Sequence, residues 1–125
     1  MNLRKIYVQC GLIFGICIAF DQKMLSLEEI RNIIQHFSPK QLLELINTTP
    51  NTTLKYVVAE ILKQQHQIQV TLPKKTKIPQ TARQQIALLD KAPLTLSELI
   101  RIYQLCSDRA FKTLLFYRIT HKALQ

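Results

Sequence analysis

At 125 residues, with 47% apolar side chains, the chain can bury one modest core, and a second domain is not expected. A formal net charge of +9 favours anionic partners, and eleven Lys/Arg against three acids make residues 61–125 the basic half. Only two glycines are present, none after residue 15. That excludes Walker loops, dinucleotide fingerprints and G-x-S-x-G elbows, all of which need backbone free of Cβ.

Both glycines, Gly11 and Gly15, lie in the first element, an uncharged apolar run from Ile6 to Phe20 behind Arg4 and Lys5 and ahead of Asp21 and Lys23. This is the grammar of a targeting or anchoring segment. As one helix the run covers roughly 22 Å, short of the ~30 Å hydrocarbon core, so its length suits a signal peptide. Counted from Arg4 to Lys23, whose side chains can snorkel, it approaches a thin span. Cys17-Ile18-Ala19 offers a small-x-small site with cleavage before Phe20, and Gly11 and Gly15 fit the small-xxx-small pattern of packed membrane helices. The third reading is a helix at the centre of a bundle. Residues 1–23 are therefore expected to be an apolar targeting or anchor segment, and residues 24–125 a single helical domain. The chain is expected to be exported or membrane-anchored, with a cytoplasmic protein as the alternative.

The remainder reads as all-α, a small bundle of five to six short helices. In the helical half, 24–65, Ser26-Leu27-Glu28-Glu29 is a capping box, with Ile30, Ile33, Ile34 and Phe37 following at helical spacing. Ser38-Pro39-Lys40-Gln41 is a second box, and a third helix carries Leu54, Val57, Val58, Ile61 and Leu62 to about Gln65. Residues 66–79 read as a basic linker, with room for one short extended segment where Ile68, Val70 and Leu72 alternate with polar residues. In the basic half, 80–125, boxes at Thr81-Ala82-Arg83-Gln84 and Thr95-Leu96-Ser97-Glu98 open two helices, and Ser107 is placed to cap the last. Residues 25–42 and 94–111 align without a gap. Shared capping grammar explains this more simply than duplication.

Chemistry is sparse. His36, His66 and His121 stand far apart with no cysteine pair, Cys10 and Cys17 lie about 10 Å apart along one helix and so do not bridge, and Glu28 and Glu29 point away from each other. No enzyme activity, cofactor, metal or small-molecule substrate is expected. Binding is the expected role. Lys74, Lys75, Lys77 and Arg83, together with Arg109, Lys112, Arg118 and Lys122, are candidate contacts to an anionic surface, either membrane or nucleic acid. The hairpin 95–119 has the length of a helix-turn-helix but lacks its glycine. The last helix is apolar on most faces, which makes Phe111, Leu115, Phe116 and Ile119 either central to a bundle or docking residues for a protein partner. The leading expectation is an interaction protein that docks on a protein partner or anionic membrane. Nucleic-acid binding and an accessory role in a membrane assembly are the alternatives.

Overall fold

A computed structural model describes residues 3–72 and 77–125. Among them are eight α-helices and no strand: α1 (Leu3–Cys10), α2 (Leu12–Asp21), α3 (Leu27–Ile34), α4 (Pro39–Thr48), α5 (Thr52–His66), α6 (Gln80–Asp90), α7 (Leu96–Leu105) and α8 (Arg109–Ala123). Six helices follow the apolar run and the run itself holds two, so the expectation of one N-terminal helix is corrected. Residues 67–72, expected to have room for a strand, are irregular. The chain forms two compact units, Met1–Pro73 and Lys74–Gln125.

Gly11 is the reason the apolar run is not one helix. It adopts φ 84°, ψ 167°, a backbone region essentially closed to residues with a Cβ, and it stands between α1 and α2 as the N-cap of the latter. The chain then folds back. In a straight helix residues 7 and 15 would be about 12 Å apart along the axis. Here a Cβ on Gly15 would lie 2.3 Å from Tyr7 Cδ1 and 3.2 Å from Tyr7 Cα. The glycine pair therefore packs two helices of one chain. No helix among the described residues is long and apolar enough to cross a membrane.

In the first unit α2 packs against α1, α3 and α4, while α5 packs against α3 and α4. The middle of α2 is buried throughout, from Ile13 to Ala19. Ile16, Cys17 and Ile18 are fully enclosed, as are Ile6, Ile30, Ile34, Leu42, Leu45, Leu54, Val58 and Leu62 on the other four helices. Each isoleucine buried this way contributes roughly 1.5–3 kcal/mol relative to solvent exposure. Burial also raises the Cys17 thiol far above its usual pKa.

Beyond Gly11, side-chain caps and two residues at positive φ close helix ends without glycine. Glu29 N donates to Ser26 Oγ (3.1 Å) and Ser26 N to Glu29 Oε1 (3.1 Å); Ser38 and Gln41 exchange the same pair at the start of α4. Asn51 caps α5 by accepting from Leu54 N. After α2, Lys23 takes φ 59°, and the amides of Lys23 and Met24 reach Phe20 O and Ala19 O, a Schellman motif. After α5, Gln67 takes φ 53°, with its own amide and that of Ile68 both bonded to Leu62 O.

In the second unit α8 packs against α6 and α7. Its buried side chains are Ala82 of α6, Leu99 and Tyr103 of α7, and Ala110, Leu115, Phe116, Ile119, Thr120 and Ala123 of α8. The Thr95–Glu98 box forms as read from the sequence. Two starts differ. The α6 N-cap is Pro79, without a side-chain bond, rather than a box at Thr81, and α8 is capped by Asp108 Oδ1 accepting from Phe111 N, one residue beyond Ser107. The α8 cap thus lies one residue beyond Ser107, the position that aligns with the α4 cap Ser38.

Candidate interaction surface

The buried face of α7 is set by Leu99 and Tyr103, one turn apart. Leu105 follows Tyr103 by two residues, about 200° round the helix, so it points away from the core and is 79% exposed. On α6 the inward stripe is Ala82, Ile86 and Leu89, with Ala82 buried and the other two half-buried. Leu88, two residues past Ile86, turns outward and is 68% exposed.

Both leucines line one open groove of about 600 Å³, shared with Gln85, Leu89, Cys106, Ser107, Asp108 and Phe111. Cys106 ends α7 in extended backbone, with its amide bonded to Ile102 O and Tyr103 O and its Sγ donating to Asp108 O at 3.6 Å. It is half-buried, whereas Cys10 and Cys17 are buried. The Asp108 carboxylate is committed to its cap. The groove is thus lined by Leu88, Leu89, Leu105 and Phe111, with Gln85 on α6 and the Cys106 thiol, the Ser107 hydroxyl and the capping Asp108 carboxylate at one end.

The first unit has a smaller groove of about 440 Å³ between α5 and the irregular segment, lined by Tyr56, Ala59, Glu60, Lys63, Gln69, Val70 and Leu72. A charged pair, Glu60 and Lys63, lies in its wall. Glu60 also faces Arg31 at 3.8 Å, an exposed pair worth at most about 1 kcal/mol.

The cations expected from sequence are scattered. Lys74 and Lys75 lie outside the described residues. Lys77 and Arg83 are exposed. On α8, Arg109 is exposed, but the other three are tied into the second unit. Lys112 Nζ sits 4.5 Å from the Tyr103 ring centroid, Arg118 Nε pairs with Asp90 Oδ1 at 2.6 Å, and Lys122 Nζ donates to Leu94 O. Among the apolar candidates, Leu115, Phe116 and Ile119 are fully buried, so of the two roles read for this helix they take the central one, and Phe111 alone borders the groove. Gly11 and Gly15 form the α1–α2 junction.

Leu88 and Leu105 escape a sequence reading because every apolar residue on a short helix looks like core until its inward face is fixed. One signal exists: Ile86, Leu88 and Leu89 cannot all face the same way. Among the described residues no group of three or more His, Cys, Asp or Glu is placed to hold a metal ion. The chain matches no protein-family model, no curated protein and no solved structure.

Proposed function

We propose that this chain is a non-enzymatic helical interaction protein that docks a protein partner in the α6–α7–α8 groove. The observation that carries the reading is the exposure of Leu88 and Leu105 on one groove. Contiguous apolar surface of this kind, bounded by polar residues, is typical of partner sites. A nucleic-acid role through the 95–119 hairpin draws less support, because Lys112, Arg118 and Lys122 already serve contacts within the unit. Direct docking on an anionic membrane rests on Lys77, Arg83 and Arg109, which do not share one helix.

The proposal includes retention of residues 1–20 in the working protein. Cleavage before Phe20 would remove α1 and most of α2, and with them the helix against which α3 and α4 pack. Anchoring through the same run would demand its withdrawal from that core, so export and anchoring are both less economical than a run that stays folded.

The test is a Leu88→Asp/Leu105→Asp double variant expressed in the native host. Both positions are exposed, so helicity by circular dichroism should match wild type. Wild type is expected to elute from gel filtration of the native extract above its monomer mass and the variant at it. Identical elution of the two would overturn the reading.

A further inference from the structure

The charge around the groove identifies its occupant by chemistry. The second unit, Lys74–Gln125, carries ten Lys/Arg against three acids. Two of those acids are committed: Asp90 pairs with Arg118, and Asp108 caps α8. The third, Glu98, closes the box with Thr95 at the far end of α7. Around the exposed leucines the uncommitted charges are cationic. Arg101 precedes Leu105 by one helical turn on the same face of α7, Lys91 follows Leu88 by three residues, and Arg109 follows Asp108 at the groove end; all three are exposed. A second copy of this chain would bring a second strongly positive surface against the first, and like charges across an interface are penalised.

We infer that the groove takes an acidic amphipathic helix of another protein, with its apolar residues on Leu88, Leu105 and Phe111 and its carboxylates facing Lys91, Arg101 and Arg109. This rests on the docking reading above and adds the partner's class. Such a helix would present leucines at i, i+3, i+4 and i+7 with glutamates flanking the stripe.

Cys106 supplies a readout inside the groove. It is the accessible thiol, while Cys10 and Cys17 are buried. On the full chain, a disulfide reagent such as DTNB should modify Cys106 fast and the other two only on unfolding. Two synthetic helical peptides serve as probes, one with leucines at i, i+3, i+4 and i+7 and glutamates elsewhere, the other with lysines replacing the glutamates. The glutamate peptide is expected to slow modification of Cys106 and the lysine peptide to leave it unchanged. Arg101→Glu/Arg109→Glu should weaken the glutamate peptide about tenfold or more and lessen its salt dependence. Leu88→Ala, a mild change at an exposed site, should weaken it without altering helicity.

Equal protection by both peptides would overturn the acidic identity while leaving the groove reading intact. No protection by the glutamate peptide, or concentration-dependent protection by the chain itself, would also overturn it. The groove reading fails separately, if Leu88→Asp/Leu105→Asp leaves the native complex unchanged.

Discussion

An alanine at residue 11 would meet open space yet have to hold φ 84°, ψ 167°, whereas an alanine at residue 15 would sit in ordinary helix yet overlap Tyr7. The two substitutions therefore fail for different reasons. Gly11→Ala is expected to lose about 1–3 kcal/mol to backbone strain. Gly15→Ala is expected to lose a similar amount, about 1–3 kcal/mol, to overpacking, because the contact at 3.2 Å is to Tyr7 backbone and cannot be relieved by a rotamer change alone. Denaturant unfolding separates the causes: Tyr7→Ala in the same chain should recover part of the Gly15→Ala loss and none of the Gly11→Ala loss. Gln67 offers the converse case. A side chain at φ 53° costs about 1–2 kcal/mol, and glycine removes that strain while giving back about 0.5–1 kcal/mol in chain entropy. Gln67→Gly should thus raise the unfolding midpoint of the first unit slightly, and a lowered midpoint would contradict the strain argument.

At the level of single helices, the capping boxes carry measurable pH dependence. The hydroxyl and amide of Thr95 both donate to Glu98 Oε1, at 2.9 Å and 3.2 Å, and these bonds hold the Glu98 carboxyl below its ordinary value of 4.5, with Lys122 nearby adding a smaller push the same way. A depressed carboxylate stabilises the fold above the unfolded-state value, and that contribution is lost as pH falls through the lower folded value. Thr95→Ala should therefore lower the melting temperature of α7's unit most above pH 4.5. The gap to wild type should narrow below that, without closing, because Glu98 N still donates to Thr95 Oγ1. A gap constant across this range would remove the box from the account. The boxes at Ser26, Ser38 and Thr95 are legible in the sequence for a simple reason: donor and acceptor are three residues apart, so local geometry decides them. Thr81 satisfies the same pattern and fails, since the helix begins two residues earlier, behind Pro79. The break at Gly11 is not legible, because a left-handed glycine flanked by apolar residues carries no polar punctuation. The groove is not legible either: which leucines of α6 and α7 face outward depends on where α8 packs, a tertiary fact that helical periodicity does not encode.

For the molecule as a whole, the consequence of the α1–α2 fold-back is that the N-terminal run and the first unit stand or fall together. Ile16, Cys17 and Ile18 are fully buried in α2, and the helices they meet, α3 and α4, have Ile30, Leu42 and Leu45 fully buried in turn. Truncating even one such side chain typically costs 2–5 kcal/mol, and domain stabilities are only about 5–15 kcal/mol, so removing all of α1 and most of α2 exceeds what the unit can lose. A chain lacking residues 1–19 is expected to retain the helical signal of the second unit, where α8 packs against α6 and α7, while α3–α5 lose amide protection. Hydrogen exchange read by mass spectrometry resolves this segment by segment. Slow exchange persisting at Ile30, Ile34, Leu42 and Leu45 in the shortened chain would show that the apolar run is dispensable to the core, and would return it to the role of a removable leader.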